Sequence, residues 1–431
     1  MIKDCLGMLP RAVSSFFKTL DKRFKVMLVA TGLYNWTSSL SRQYDQLYAT
    51  DLGANPIELG SLNSLGSLVN AVISAPMGWF IDRYGVKKLI ILGLSFSAIV
   101  SGIYGCAFTW WMLIPAIILS QVSMRLIMPL TDIIIIGTTE SKKRSLAMGF
   151  SRSIWAIPNL FSPMVAAMIV SQFGGINTQG IRPLYFVQLS TFLFVIVFVS
   201  FMLEPLQAYF DAKNLESEDD SRKNSIIEGF KEVLRSEKRL KYWMAIMGLW
   251  RFGISMIMPF VPLWLVQVKH ADPYMLGILG TISTATSILL QIPAGRLADK
   301  IGRKKVFLML RPFTYLGILL MIWAQDPITL IIAGAFGVIG LGGMGGGGGI
   351  GGVSFIPFIT MYWESVSSKK RGRLFGLTGI FGVFAVLASI LGGALWQAGY
   401  MELVLILPIL IEIMIVIPLL IRIPENFPSD K

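Results

Sequence analysis

The chain has 431 residues, of which 54% are hydrophobic and only 15% are charged, and its mean hydropathy is +0.66. A soluble protein of this length carries many more charged side chains on its surface, so the composition indicates a membrane protein. The net charge of +13 would favour nucleic-acid binding in a soluble protein. In a membrane protein, the positions of the basic residues along the chain show whether this charge indicates nucleic-acid binding or membrane topology.

Apolar segments of about 20 residues follow one another along the whole chain, and a helix of that length crosses the hydrocarbon core of a bilayer. The predicted helices start near Val26, Ile57, Leu89, Trp111, Leu146, Pro183, Tyr242, Tyr274, Val306, Pro327, Leu374 and Leu403. The sequence therefore predicts an all-α membrane protein whose twelve transmembrane helices form two pseudo-symmetric bundles of six.

The basic residues are distributed very unequally between the two sets of loops. If both termini are cytoplasmic, 30 of the 38 Lys and Arg residues lie in the loops and tails on that side, and only Arg182 and Lys269 lie in the opposite loops. This asymmetry is the positive-inside signal of a multi-pass protein. We therefore expect a plasma-membrane protein with cytoplasmic termini and no nucleic-acid partner.

The same placement divides the chain into five parts. We expect cytoplasmic tails at 1–24 and 422–431, helical bundles at 25–203 and 241–421, and a cytoplasmic linker at 204–240 that mixes both signs of charge.

A charged motif occurs twice, at a spacing of 217 residues. Its first copy contains Gly78, Asp82, Arg83, Gly85, Lys87 and Lys88, and its second contains Gly295, Asp299, Lys300, Gly302, Arg303, Lys304 and Lys305. The repeat extends further at the same spacing, since Ala54 to Gly60 matches Ala271 to Gly277. The chain is thus built from two similar halves, which indicates transport across a bilayer.

These residues resemble the signature of the major facilitator superfamily, Gly-x-x-x-Asp-(Arg/Lys)-x-Gly-x-(Lys/Arg)-(Lys/Arg), which lies between helices 2 and 3 and often recurs between helices 8 and 9. The resemblance implies that both copies latch the two halves together on the cytoplasmic side. The alternative is a topology signal, which accounts for Lys87 and Lys88 but not for the aspartates and glycines.

Charged side chains inside predicted helices are the strongest sign of a transport site, because each costs about 2.5–3.5 kcal/mol to insert. Arg125 lies near the middle of helix 4 and Arg251 near the middle of helix 7. The resemblance implies that helices 1, 4, 7 and 10 line a central cavity. Helical spacing predicts three polar faces: Gln121, Arg125, Met128 and Asp132; Met247, Arg251, Ser255 and Met258; and Tyr34, Ser38, Arg42 and Asp45.

We hypothesise that Arg125 and Arg251 bind an anionic group, with Asp45 or Asp132 exchanging a proton. The alternative is that each Arg pairs with a carboxylate or carbonyl on another helix. Arg42 and Asp45 are close enough on one helix to neutralise each other. Asn70 on helix 2 could join this site or could equally make a packing contact between helices.

Two further charges receive simpler interpretations. Arg311 is predicted to reach the cytoplasmic interface, and Glu412 is predicted to pack or to pair laterally.

Ten of the thirteen residues from Gly340 to Gly352 are glycine. Since glycine sacrifices up to about 1 kcal/mol of helix propensity per residue, helix 10 is predicted to be broken or distorted there. The run is either a hinge lining the cavity or a tolerated low-complexity insertion.

These observations predict a monomeric secondary active transporter that moves a small solute by alternating access, coupled to protons, with an organic anion preferred. A multidrug efflux antiporter is the alternative within transport, and a transport-inactive receptor or scaffold is the alternative outside it. We expect no enzyme, cofactor or metal site, since no catalytic constellation or ATP-binding loop is found and the single His270 cannot hold a metal alone.

Overall fold

The computed structural model describes residues 21–74, 84–139, 144–203, 238–338, 348–365 and 381–423. Helices dominate these residues, and none of them forms a strand. Most of the two tails, most of the predicted linker and the first copy of the motif from Gly78 to Arg83 lie outside them.

Six helical elements make up the first half. They are α1 (Lys22–Ser41, continued by Asp45–Asp51), α2 (Pro56–Ser74), α3 (Val86–Cys106), α4 (Leu113–Gly137), α5 (Arg144–Gln172) and α6 (Thr178–Met202). We call the face of the bundle at which α2 ends and α3 begins the motif side, and the opposite face the far side.

The second half repeats this order. Its elements are α7 (Lys238–Ile257, Val261–Leu263 and the π-helix Trp264–Val268), α8 (Pro273–Ile301), α9 (Arg303–Trp323), α10 (Pro327–Phe336, Gly349–Gly352 and Phe355–Glu364), α11 (Phe381–Gln397) and α12 (Met401–Ile411, the π-helix Glu412–Val416 and Ile417–Arg422).

The described residues thus contain the predicted twelve elements. Eight helices among them are long and apolar enough to cross a membrane, and α10 and α11 contribute shorter apolar helices.

The repeat is visible at the start of α2 and α8. Asn55 accepts a hydrogen bond from the backbone N–H of Glu58 at 2.9 Å, while Glu58 accepts from the backbone N–H of Asn55 at 2.8 Å, which is a capping box. Asp272, the equivalent of Asn55, accepts from the backbone N–H of Met275 at 2.7 Å. Short polar side chains therefore begin both helices at matching positions.

Glycine also begins the next pair of equivalent helices, α3 and α9, on the motif side. Gly85 has φ 76° and Gly302 has φ 101°, a region that residues with a Cβ rarely adopt. The turn into α3 and the turn into α9 therefore both depend on a glycine of the repeated motif.

The predicted interruption of helix 10 is confirmed, although it begins earlier than the glycine run. The first segment of α10 ends at Phe336, and Gly337 follows with φ 114°. A Cβ on Gly337 would lie 2.2 Å from the carbonyl oxygen of Gly348. Residues 339–347 lie outside the described part of the chain.

Beyond this interruption, aromatic side chains attach α10 to α7. Trp250 stacks on Phe355 with ring centroids 5.2 Å apart, and Trp243 lies 5.9 Å from Phe358 and 5.8 Å from Tyr362. The last segment of α10 therefore packs on α7 through aromatic surface.

The two halves meet along two seams, α2 with α11 and α5 with α8. In the first, the Ser64 hydroxyl donates to the backbone carbonyl of Val386 at 2.7 Å. In the second, Gly280 lies against Pro163, where an added Cβ would be 2.9 Å from the proline Cβ. Since α4 packs on α2 and α7 packs on α11, these two helices flank the first seam from opposite halves.

Candidate functional site

Arg125 of α4 is held by an amide network with α2. Its guanidinium donates to the Asn70 side-chain oxygen. The Asn70 amide in turn donates to the Gln121 side-chain oxygen at 3.0 Å. Asn70 of α2 therefore orients the predicted face that contains Gln121 and Arg125. The sequence had left open whether Asn70 joins this site or only makes a packing contact between helices.

Arg251 of α7 lies on the helix face that turns towards α11. Gly248 and Ser255, three residues before it and four after it, share this face. A Cβ on Gly248 would lie 3.1 Å from the Phe384 ring, and the Ser389 hydroxyl donates to the Ser255 carbonyl at 2.9 Å. Since α11 also packs on α2, Arg251 approaches the amide network from the second half.

The two guanidinium groups lie near enough for their positive charges to repel. Arg251 is exposed, and among the residues that the structure describes it makes no hydrogen bond or ion pair. The structure therefore brings together Arg125 and Arg251, one from each half, with Asn70 and Gln121 beside them. A small anion between such cations would relieve their repulsion.

The two carboxylates considered for proton exchange have other partners. Asp132 accepts two hydrogen bonds of 3.2 Å from Arg152 of α5. Asp45 accepts a hydrogen bond of 2.9 Å from the Tyr185 hydroxyl of α6. Arg42 attracts Asp45 electrostatically, but no ion pair joins them within 4.0 Å in the described chain, so the predicted neutralisation is incomplete.

Tyr34 lies inside the first bundle rather than between the halves. Its side chain is buried and packs on Phe192, with ring centroids 5.6 Å apart. Close to it, the hydroxyls of Ser97 and Ser123 are hydrogen bonded at 2.6 Å. The role predicted for Tyr34 in a substrate pathway stays a prediction.

Sequence reasoning missed a buried ion pair between α9 and α12. Arg311 donates to the Glu412 carboxylate through Nε at 2.5 Å and through Nη2 at 2.6 Å. The prediction that Arg311 reaches the interface is wrong, because its partner holds it in the interior, whereas lateral pairing of Glu412 is confirmed. The sequence did contain a sign of this pair, because Arg311 and Glu412 are charges of opposite sign near the centres of two helices, each without a partner on its own helix.

The described contacts of the repeated motif lie within each half. Lys87 donates to the Ser200 carbonyl at 2.9 Å, near the end of α6. Lys304, its equivalent, donates to the carbonyls of Ile421 and Ile423 at 2.6 and 2.8 Å, at the end of α12. Both lysines therefore cap the last helix of their own half.

Arg303 adds a second contact of this kind. It forms an ion pair with Glu364 at the end of α10, and its guanidinium lies 4.0 Å from Asp299. Latching between the halves remains a prediction, because Gly78, Asp82 and Arg83 lie outside the described residues. A Cβ added to Gly295 would meet no atom within 4 Å, and Lys88 and Lys305 are exposed.

The two basic residues predicted in the far-side loops also cap helices. Arg182 donates to the Ala107 carbonyl at 2.5 Å, where α3 ends. Lys269 donates to the carbonyls of Ile322 and Ala324, both at 2.7 Å, where α9 ends. Burial, opposed by the charge of Glu402, lowers the pKa of Lys269.

Comparison with known proteins covers all but the first residues of the chain. The family model described as Major Facilitator Superfamily matches residues 27–254 and 243–431. Among solved structures, a single-residue mutant of the nucleoside transporter NupG superposes with a TM-score of 0.73 at 12% identity, covering 94% of this chain and 100% of that one. The unmutated NupG gives a TM-score of 0.67 at 12% identity, covering 94% and 99%.

Two curated relatives are similar in sequence. Multidrug resistance protein 2 of Bacillus subtilis (strain 168) is 25% identical over 242 residues, covering 55% of this chain and 57% of the relative. The class H tetracycline resistance protein of Pasteurella multocida is 22% identical over 274 residues, covering 61% and 63%. The alignments thus span less than two thirds of either relative.

Proposed function

The chain belongs to the Major Facilitator Superfamily, and from this premise we propose that it is a secondary active transporter of a small organic anion. It is a multi-pass membrane transporter rather than an enzyme. The proposal adds that it works by alternating access in the plasma membrane, with cytoplasmic termini and with protons as the coupling ion.

The proximity of Arg125 and Arg251 is the observation that carries the substrate class. The two residues come from different halves, and their like charges repel. An anion bound between them would contact both halves at once, as a substrate must in an alternating-access cycle. Asn70 and Gln121 add neutral hydrogen-bonding groups that can orient the substrate.

The hydrogen-bond and ion-pair partners of the intramembrane carboxylates also support an anionic substrate. Asp132 is paired with Arg152, Glu412 with Arg311, and Asp45 accepts from Tyr185. Each of these acids therefore has a defined partner away from Arg251. A substrate carboxylate or phosphate is the complementary group for that exposed guanidinium.

Uptake of labelled organic anions into proteoliposomes, with and without an imposed pH gradient, tests the proposal. Arg251→Ala should weaken binding about 10- to 100-fold, since a hydrogen bond to a charged group contributes about 1.5–3 kcal/mol. Arg422→Ala, at the exposed end of α12, is the matched control and should retain uptake. Full uptake by both Arg251→Ala and Arg125→Ala would make the site assignment wrong.

The proton pathway needs its own experiment. We propose that Asp45 or Asp132 exchanges the coupling proton. Asp45→Asn and Asp132→Asn should each be compared for pH-driven uptake and for anion exchange without a gradient. A coupling residue loses the first activity and keeps the second, whereas a residue needed only for folding loses both.

Multidrug efflux is the second candidate, favoured by the names of both curated relatives. Extrusion of cationic dyes under a proton gradient, without acid-driven anion uptake, would support it. Absence of flux for every solute in a broad panel would instead favour a transport-inactive receptor.

A further inference from the structure

A small cavity lies inside the second half, between α7, α9 and α12, and no step of the proposed transport uses it. Its volume is about 10 Å³, and a volume of about 10–15 Å³ is enough to hold one water molecule. Ile254 of α7, Ile318 of α9 and Pro408 of α12 are among its apolar walls. Because purely apolar cavities of proteins stay dry, the polar groups in the lining decide whether a water binds there.

This cavity is separate from the arginine site between the halves. Trp250, Ile254 and Ile257 line it, and their spacing of four and three residues puts them on one face of α7. Arg251 lies on a different face of the same helix, the one that turns towards α11. The cavity therefore belongs to the interior of the second half alone.

Four polar side chains line the cavity, and each is more than nine-tenths buried. They are Arg311, Thr314 and Tyr315 of α9 and Glu412 of α12. Arg311 donates to one oxygen of the Glu412 carboxylate at 2.5 Å and to the other at 2.6 Å. Since a carboxylate oxygen can accept more than one hydrogen bond, Glu412 keeps the capacity to accept another. Glu412 also begins a π-helix, and such distortions often occur at functional sites.

The Tyr315 hydroxyl is the group that points to a ligand. The residue is 8% exposed, and its ring centroid lies 5.7 Å from the central carbon of the Arg311 guanidinium. Glu412 is also near, but no atom of the described residues meets the distance and angle of a hydrogen bond with this hydroxyl. Burying a hydroxyl without a hydrogen bond is costly. The cavity beside Tyr315 has room for the missing partner.

We propose that this cavity is a water-binding site. The water accepts a hydrogen bond from the Tyr315 hydroxyl and donates one to the Glu412 carboxylate, so that it bridges α9 and α12. The Thr314 hydroxyl, which accepts only a long hydrogen bond of 3.5 Å from Arg311, is the second acceptor for the water. These three groups supply the two to four polar partners that a buried water needs.

The charge of the lining selects a neutral ligand. A sodium ion is close to water in size and binds oxygen atoms, so the same oxygens could in principle attract one. Arg311 already neutralises Glu412, however, and its guanidinium would repel a second cation at this short range. The site therefore takes water and excludes a cation. Water binding here needs neither the anion site nor a proton gradient.

X-ray radiolysis of the purified full-length protein, followed by mass spectrometry, tests for the water. Radiolysis converts bound water to hydroxyl radicals, which modify the side chains that touch it even in the interior. Tyr362 is the matched control, because it is buried, its hydroxyl also has no partner in the described chain, and it does not line this cavity. Tyr315 should be modified several-fold faster than Tyr362, and a radical scavenger in the bulk solvent should not protect it. Equal modification of the two tyrosines would overturn the site.

Substitution of the hydroxyl gives an independent measurement. Tyr315→Phe removes the group that the water bridges to Glu412, so the thermal unfolding midpoint in detergent should fall by about 1–4 °C. Tyr362→Phe removes a hydroxyl that lies at no such cavity, so its midpoint should not fall. A Tyr315→Phe protein as stable as the parent would overturn the bridge. If Tyr315→Phe does not fold, radiolysis of the parent protein decides alone.

Two other occupants of this site give different results. A direct hydrogen bond from Tyr315 to Glu412 would also lower the midpoint of Tyr315→Phe, but it would leave Tyr315 as slowly modified by radiolysis as Tyr362. A bound cation would raise the midpoint of the parent in sodium chloride above that in choline chloride, which would overturn the neutral ligand. None of these measurements involves transport, so a failure of anion uptake leaves them intact.

Discussion

Arg311 and Glu412 show what a single position reveals in the sequence and what it does not. Their central location in apolar helices marks both as unusual, because unpaired charges are costly in a membrane. Their pairing depends on α9 and α12 lying side by side, which no pattern within either helix specifies. The sequence therefore identifies both residues as unusual, but it does not show that they form an ion pair.

Breaking this pair should destabilise the protein strongly. Arg311→Met leaves the Glu412 carboxylate buried without its cation, which costs about 3–5 kcal/mol. The thermal unfolding midpoint in detergent should fall accordingly. Arg311→Met combined with Glu412→Leu should recover most of the loss, and a single variant as stable as the parent would contradict the ion pair's role.

Gly302 should tolerate alanine much less well than Gly295, although both belong to the repeated motif. Gly302 has φ 101°, and an L-residue in the left-handed region costs about 1–2 kcal/mol. Gly295 lies inside α8 with open space around it, so Gly295→Ala serves as the control. Thermal midpoints measure the difference, and equal losses would show that backbone conformation is not the cause.

At the scale of elements, composition predicted that α10 is interrupted but not where. The glycine run lowers helix propensity from Gly340 onwards, yet the first segment already ends at Phe336. The reason is tertiary, since the Gly337 backbone approaches Gly348 too closely for any side chain. Local propensity shows that a helix is weak, and packing decides at which residue it ends.

Lys304 connects α9 to the end of α12, and the neighbouring Lys305, which is exposed, provides a control for its substitution. Lys304→Met removes the cation that caps α12, which should cost about 0.3–1 kcal/mol. Lys305→Met, at an exposed position, should cost little. Hydrogen exchange of the last turn of α12 should accelerate only in Lys304→Met, and equal exchange in both variants would contradict the cap.

At the scale of the molecule, the number and order of helices could be read from apolar segments, loop charges and the 217-residue repeat. The seams between the halves could not. They depend on close approaches at Gly60, Gly277 and Gly393, where an added Cβ would lie 2.2–2.7 Å from atoms of the opposite half. The absence of a side chain leaves no periodic pattern in the sequence. The site was predicted as two arginines, but the role of Asn70 in orienting one of them became evident only with α2 in place.

The seams should hold the two halves together without a covalent connection. Halves produced as separate polypeptides, divided within residues 204–237, should assemble because α2 packs on α11 and α5 on α8. Copurification through a tag on one half measures this. Gly60→Ala with Gly277→Ala should reduce the yield of the partner half, and halves that never copurify would contradict seam-driven assembly.

The four cations that cap helix ends differ in whether the 217-residue repeat relates them. Lys87 and Lys304 occupy equivalent positions and cap equivalent helices, so the 217-residue repeat carries this contact in both halves. Ala107 and Ala324 are also equivalent, yet their carbonyls receive Arg182 from α6 and Lys269 from the end of α7. The repeat therefore does not relate the far-side caps, and the two halves satisfy equivalent helix ends with different residues from different helices.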